Sequence, residues 1–235
     1  MYTNTYLHST ILLLYYNYKQ YYKEDKLSYW LEDWTSVLDF ETIFNPKSLR
    51  RYERGEIVKV HLGFNVGSEE GGLHYAVVVE KDNAKSSPVV TIVPLTSVKP
   101  HTDINKLKSG SIYLGNELFT NLSSKVKTYR QEMINEVFTL NHIIQNIDSA
   151  TSSETLNEIQ EKLDICENDI NLAEKMHKEI QNMKIGSIAL VNQITTISKI
   201  RIYDPKTDHD VLSNIKLSNE KLDMIDNEII HKFTK

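Results

Sequence analysis

Hydrophobic positions change their period along the 235-residue chain, and each change predicts a different kind of element. Near the start, Tyr15, Tyr18 and Tyr22 recur at helical spacing, and 8 of the 13 tyrosines lie within the first 45 residues. This pattern predicts one or two amphipathic helices, and tyrosines at such spacing more often pack against a core or a partner than stack on nucleobases. Asn45-Pro46 ends the pattern, because the residue before a proline is pushed out of helical geometry. We therefore expect a boundary near residues 46–53.

From residue 55 the pattern becomes that of short strands. Apolar, β-branched runs occupy residues 57–62, 76–79, 89–95, 112–114 and 188–191, with turn residues between them. Several short strands without intervening helices predict a small curled antiparallel sheet or barrel. The glycine-rich stretch at residues 63–72 lies between two of these strands. Its glycines permit positive φ and expose backbone amides, so it is a loop suited to close approach by a ligand.

Two long stretches follow, at residues 119–147 and 156–183, in which apolar residues recur every three or four positions. They predict two helices joined by a polar link, and Thr151-Ser152-Ser153-Glu154 fits a capping box at the start of the second helix. Isolated helices are marginal in water, so the two helices of the predicted antiparallel hairpin must pack on each other, on the amino-terminal helix or on a second subunit. Near the end, Ser218 or Asn219 can cap a last helix that covers one side of the sheet.

Composition narrows the class of protein. The single cysteine, Cys166, cannot form an intrachain disulfide or a thiolate cage for a metal, so we expect a reducing, cytoplasmic setting and an inert thiol in an apolar seam. The apolar run at residues 11–14 is too short to span a membrane. His142 and His177 lack the companions of a metal site and are interpreted as solvent or seam residues.

The net charge of −5 is distributed unevenly along the chain. Residues 50–114 carry 9 basic and 7 acidic groups, and residues 186–203 carry 2 basic and no acidic groups. If these two strand-rich blocks fold together, they form a mildly cationic unit flanked by acidic helices, which leaves one face available to a phosphate-bearing ligand. Ordinary scatter of surface charge explains the same counts equally well.

Four motifs resemble the PemK/MazF family of toxin endoribonucleases: RGEIVKV at residues 54–60, GSEEGGLHYAVVV at 67–79, VPLTS at 93–97 and ALVNQITTISKIR at 189–201. The resemblance covers roughly half of the chain in the family's order, and the agreement of separate motifs makes it specific. It implies a small SH3-like antiparallel β-barrel followed by a C-terminal helix. The N-terminal helices and the inserted antiparallel helical hairpin lie outside the resemblance, and together with the barrel they give an expected α+β fold. The parts would be residues 1–48, 50–116, 117–183 and 184–235.

The resemblance also implies a function. Family members form dimers, cut single-stranded RNA without a metal, and are silenced by an antitoxin protein. Many members carry an arginine followed by a proline where this chain has His74-Tyr75, and Thr195 stands where another familiar arginine would be. Thr96 matches the family's catalytic threonine.

The chemistry of metal-free RNA cleavage selects the candidate residues. The ribose 2′-hydroxyl is the nucleophile, so the protein must supply a base, an acid and donors to the phosphorane oxygens. His74 exchanges a proton near neutral pH, Thr96 donates from its hydroxyl with help from Ser97, and Glu69 orients a proton donor or acts as a base. The candidate RNA-binding residues are Arg54, Gly71, Gly72, Ser97, Gln193, Lys199 and Arg201. We expect neither a cofactor nor a metal.

Two other functions stay open at this stage. The missing arginines favour a weak or inactive module that keeps the scaffold to bind nucleic acid or an antitoxin-like protein. Alternatively, the added helices serve as a dimerisation or regulatory device that shields the cationic groove.

Overall fold

The computed structural model describes residues 24–145 and 153–235, and within these residues four α-helices accompany one seven-stranded sheet. The helices are α1 (Glu24–Glu41), α2 (Glu117–Gln145), α3 (Ser153–Asn182) and α4 (Asn219–Phe233). The strands are β1 (Ile57–His61), β2 (Leu73–Val78), β3 (Val89–Ser97), β4 (Ser111–Gly115), β5 (Ser187–Leu190), β6 (Thr195–Ser198) and β7 (Ile202–Asp204). The tyrosine pattern at residues 15–22 lies outside the described residues, and so do Thr151 and Ser152 of the predicted capping box.

Every strand pairing is antiparallel, in the order β4-β5-β3-β2-β1-β7, with β6 also on β3. The long strand β3 pairs with β6 through residues 89–92 and with β5 through residues 95–97. A 3₁₀ turn, Val191–Gln193, separates β5 from β6 along that edge. The predicted antiparallel sheet is confirmed. The closed barrel is not, because no pairing joins the end strands β4 and β7 within the described chain.

The sheet is apolar on both faces because its strands alternate between two buried clusters. Ile57, Val77 and Val93 face a cluster that α2, α3 and α4 cover. Val58 and Ala76, one residue away, face a second cluster inside the curl of the sheet. Period-two alternation sends neighbouring residues to opposite faces, so burial on both sides explains the near-continuous apolar strands.

The helical hairpin is part of the main core. Leu118 and Leu122 of α2 and Met176 of α3 are fully or almost fully buried in the cluster shared with the sheet. The predicted packing of the two helices on each other is also confirmed.

Lys125 of α2 further joins the hairpin to the segment before α4. Its ammonium donates to the carbonyl oxygens of Asp210, Val211 and Ser213 at 2.9 to 3.0 Å. Burial lowers the pKa of Lys125 to about 8.

The last helix begins as its cap predicts. Ser218 is the N-cap, and its hydroxyl accepts a hydrogen bond from the Lys221 amide at 3.4 Å. Leu222 and Ile225 then enter the core beneath the sheet. The predicted covering of one sheet face by this helix is confirmed.

Candidate active site

The glycine-rich loop at residues 63–72 joins β1 to β2 and is closed at its base by backbone hydrogen bonds. The Leu62 amide donates to the Gly72 carbonyl at 2.8 Å, and the Gly72 amide donates to the Gly63 carbonyl at 2.7 Å. Gly72 has a φ of +78°, and a Cβ on Gly71 would lie 3.0 Å from the Gly63 carbonyl oxygen. Both positions favour glycine, one for its backbone angle and the other for lack of space.

Gln193 connects this loop to the 3₁₀ turn between β5 and β6. Its side-chain oxygen accepts a hydrogen bond from the Glu70 amide at 2.7 Å, and its amide nitrogen donates to the Ser68 carbonyl at 3.2 Å. We predicted that Gln193 would read RNA bases. In the structure both ends of its amide hold the loop, and its contact with RNA bases stays a prediction.

His74 lies at the start of β2, directly beyond the loop. Its Nε2 is 3.3 Å from Glu70 Oε2, and its Nδ1 is 3.3 Å from the Leu95 carbonyl oxygen. The side chains of His74 and Glu70 are each 25% exposed, so both are accessible from solvent. Because both ring nitrogens face oxygen acceptors, an imidazolium ring would donate from both of them. This geometry suits a proton donor.

The structure brings His74 and Thr96 to one cleft of about 180 Å³. The β2–β3 register pairs Ala76 with Pro94, and its continuation by two residues places His74 across from Thr96. Ser97 also lines this cleft. The remaining lining comes from the sheet, from α2 and from the end of α3: Leu73, Tyr75, Leu95, Leu118, Asn182, Met183, Lys184 and Ser187.

A second cleft, of about 580 Å³, begins on the other side of His74, between the glycine-rich loop and α1. Gly71, Gly72 and the exposed Glu69 line it from the loop. Helix α1 supplies Tyr29, Trp30 and Asp33. Since His74 belongs to both clefts, the two form one continuous surface around the imidazole ring.

Aromatic rings cluster where α1 meets the loop. The ring centroids of Trp30 and Phe64 are 6.1 Å apart, and those of Trp30 and Trp34 are 5.7 Å apart in a stacked arrangement. The Trp30 indole nitrogen is buried without a hydrogen-bond partner within the described chain. The sequence pattern had not marked these residues, because they meet the loop only in the folded chain.

The three cations predicted to bind phosphate lie elsewhere. Arg54 donates to the Val79 carbonyl at 2.6 Å and pairs with Asp226 of α4. Lys199 is buried, with its ammonium donating to the Ala84 carbonyl at 3.0 Å, and burial lowers its pKa. These two residues therefore have structural partners away from His74 and Thr96.

Arg201 is closer to the loop but also engaged. Its Nε donates to the His61 carbonyl at 2.8 Å, and burial lowers its pKa. It lines a third cleft, of about 340 Å³, beside α1, and this cleft shares His61 and Gly63 with the cleft of about 580 Å³. The structure does not place Arg201 in the cleft that holds His74 and Thr96.

Two residues that sequence reasoning passed over lie at the site. Glu70, and not Glu69, is the carboxylate beside His74. Lys184 lines the cleft from the residues that follow α3. The spacing of four between Glu70 and His74 offered a weak signal for the first, whereas nothing in the sequence marked the second.

The histidine, cysteine and carboxylate side chains bear on metal binding and on thiol chemistry. Within residues 24–145 and 153–235, no cluster of three or more histidine, cysteine, aspartate or glutamate side chains has metal-site geometry. Burial raises the pKa of the Cys166 thiol, which favours its protonated, unreactive form.

Comparison with known protein families decides the relationship of this chain. A family model described as the PemK-like, MazF-like toxin of type II toxin-antitoxin systems matches residues 53–166. Residues 53–166 of the chain therefore belong to this family. Comparison with curated proteins finds no matching relative.

The part of the chain that matches this PemK/MazF-like family begins just before β1 and ends within α3. It contains the glycine-rich loop, His74 and Thr96, whereas the motif at residues 189–201 lies beyond it. That motif nevertheless contacts the matched part in the sheet, since β5 and β6 pair with β3. None of the helices in the described part of the chain is long and apolar enough to cross a bilayer.

Proposed function

We propose that this PemK/MazF-like protein is a toxin-like endoribonuclease that cleaves single-stranded RNA without a metal ion. The observation that carries the proposal is the shared cleft of His74 and Thr96, which lies within the residues matched by the family model. An imidazole can donate or accept a proton near neutral pH, and a hydroxyl can donate to a phosphate oxygen. Together they provide much of what attack by a ribose 2′-hydroxyl needs.

The proposed reaction forms one bond and breaks another. The 2′-oxygen attacks phosphorus, the bond from phosphorus to the 5′-oxygen breaks, and the products carry a 2′,3′-cyclic phosphate and a free 5′-hydroxyl. The proton of the 2′-hydroxyl passes to a base, and the leaving 5′-oxygen receives a proton from an acid. No covalent bond to the protein is formed.

The geometry supports distinct roles for these groups. His74 serves as the acid, because both of its nitrogens face acceptors, and Glu70 orients its ring. Glu69 is exposed at the adjoining cleft and is available to accept the 2′-hydroxyl proton. Thr96 and Ser97 donate to the non-bridging oxygens of the phosphate.

The larger cleft provides the surface for the neighbouring bases. Gly71 and Gly72 shape its floor, and Gln193 holds the loop in place. Tyr29 and Trp30 line the same cleft from α1, and aromatic rings bind single-stranded bases by stacking. Helix α1 would then contribute to substrate binding.

Family membership implies an antitoxin protein as partner. We further infer that the protein works in the cytoplasm as a homodimer, with residues 1–48, 50–116, 117–183 and 184–235 as its parts. The lone cysteine supports a reducing compartment. The molar mass of the purified protein in solution tests the dimer directly.

A binding module without catalysis is the second candidate, and one observation favours it. The larger cleft is lined by the carboxylates of Asp33, Glu69 and Glu70 as well as by aromatic rings. Such a lining suits a positively charged peptide better than a phosphate backbone. Under this alternative, His74→Ala leaves tight binding of RNA or of a peptide unchanged, and no RNA is cut.

The deciding experiment incubates the purified protein with a long single-stranded RNA in the presence of a chelator. We expect fragments ending in cyclic phosphate, and a loss of about 10²- to 10⁴-fold in rate for His74→Ala, which is the range of general acid–base catalysis. His101→Ala is the matched control, because His101 is exposed and lies outside both clefts. Intact RNA at high protein concentration would reject the nuclease and favour the binding module.

A further inference from the structure

Cleavage of the kind proposed above requires positive charge at the scissile phosphate. The phosphorane carries more negative charge than the bound RNA, and a fixed cation stabilises that difference. The cations expected from the sequence are engaged elsewhere, at Val79 and Asp226, at Ala84, or at His61. Lys59, which lies on β1 near Tyr75, is paired with Glu179. A different residue must supply the charge.

Lys184 lies where that charge is needed. Within the described chain, the cleft shared by His74 and Thr96 has one lysine or arginine in its lining, and it is Lys184. No carboxylate of the described residues lines this cleft. The Lys184 side chain is exposed, and its ammonium forms no ion pair or hydrogen bond with the described residues.

The backbone around Lys184 is held from both sides. Before it, Met183 packs against the main core, and its amide donates to the Ile180 carbonyl at 3.2 Å. After it, the Gly186 carbonyl accepts a hydrogen bond from the Val98 amide at 3.0 Å, and Ser187 pairs with Ser97. The segment is therefore fixed directly beside the end of β3, where Thr96 and Ser97 lie.

The hairpin itself is anchored one turn earlier. Glu179 of α3 accepts a hydrogen bond from Lys59 at 2.6 Å and another from the Tyr75 hydroxyl. Tyr75 follows His74 directly on β2, so this anchor ties the end of α3 to the strand that carries the imidazole ring. The end of the hairpin thus has a defined position relative to the cleft.

We propose that Lys184 is a catalytic residue of the endoribonuclease and that its ammonium contacts the non-bridging oxygens of the scissile phosphate opposite His74 and Thr96. The inference rests on the proposed nuclease function and adds a residue that lies outside the part matched by the family model. It also gives the helical hairpin a direct part in the chemistry, since the residues that end α3 carry the cation into the cleft.

The test compares Lys184→Ala with Lys184→Arg and with Lys178→Ala, an exposed lysine on α3 outside this cleft. Single-turnover cleavage gives the rate, and an RNA with a 2′-deoxy nucleotide at the cleavage position gives binding without reaction. We expect Lys184→Ala to slow cleavage about 10- to 100-fold, the equivalent of one charged contact, and to change binding much less. Lys184→Arg should recover most of the rate, and Lys178→Ala should resemble the wild type.

A phosphorothioate at the scissile phosphate provides a readout that a structural role would not move. If the ammonium contacts a non-bridging oxygen, sulfur substitution slows the wild type more than it slows Lys184→Ala. Equal slowing of both proteins, or an unchanged rate in Lys184→Ala, would overturn the inference while leaving the nuclease intact. Failure of the wild type itself to cut RNA would instead overturn the nuclease, and the catalytic role of Lys184 with it.

Discussion

The anchor between the hairpin and the sheet gives the most direct prediction about stability. Glu179→Gln removes the carboxylate charge that Lys59 and Tyr75 share. The side chains of Lys59 and Glu179 are each 19% exposed, so the pair is mostly shielded from water but not fully buried. Loss of a hydrogen bond to a charged group costs about 1.5–3 kcal/mol, and loss of one partner of a buried ion pair costs about 3–5 kcal/mol.

The ion pair is partly exposed, and the glutamine side chain keeps an oxygen, so we expect a loss of stability near the lower of these two ranges. Glutamine still accepts from Tyr75, whereas Lys59 keeps its charge without an opposite charge beside it. We therefore expect Glu179→Gln to lower the free energy of unfolding by about 2–3 kcal/mol. Glu174→Gln, an exposed position on the same helix, should change it by less than about 0.5 kcal/mol.

Urea denaturation followed by circular dichroism measures both variants, and a double-mutant cycle with Lys59→Met isolates the ion pair. The cycle should give a coupling energy of about 1 kcal/mol or more, since the two charges are in contact. Strict additivity of the two single changes would refute the reasoning. It would mean that the end of α3 is held by apolar packing and that the ion pair contributes nothing measurable.

Two further predictions concern the core and the pH dependence of stability. Met176→Ala should lower the free energy of unfolding, measured by urea denaturation, by about 2–5 kcal/mol, because Met176 is fully buried. Ile170→Ala, at a position that is 48% exposed, should lower it far less. Equal losses would show that the hairpin is not part of the core. Burial raises the pKa of Asp204 above its value in the unfolded chain. The contribution of Asp204 to the free energy of unfolding is therefore fully present below the unfolded-state pKa, and it is lost as the pH rises through the folded-state pKa. Asp204→Asn keeps an acceptor for the Leu212 amide, so this variant should be more stable than the wild type at pH 7. The difference in free energy of unfolding should shrink as the pH falls toward 4. A difference that does not vary with pH would contradict the prediction.

Much of the fold follows from local patterns in the sequence. The β-branched runs became strands and Ser218 became a helix cap, because alternation and capping depend on residues close together in the chain. The ends of the helices depend less on local sequence. Helix α1 ends at Glu41, four residues before Asn45-Pro46, where the sequence pattern had placed the break.

The candidate site was only partly predictable. The motifs drew attention to His74 and Thr96, and the folded chain brings both to one cleft. The sequence could not choose between Glu69 and Glu70, because the choice depends on which carboxylate the loop turns toward the imidazole ring. The contacts of Gln193 were not predictable either, because it is engaged by loop backbone groups that lie more than one hundred residues away in sequence.

By itself the sequence determined the strands, the hairpin helices, the capped last helix and the family motifs, since each is encoded in residue spacing. Only the tertiary structure decided where the cations go. Arg54 and Lys199 carry the charge that phosphate binding needs, but long-range packing places them against Asp226 and Ala84. The same packing brings Lys184, which directly follows the hairpin in the chain, to the cleft. A charge acts through its distance from the reacting group, and that distance is set by the folded chain as a whole.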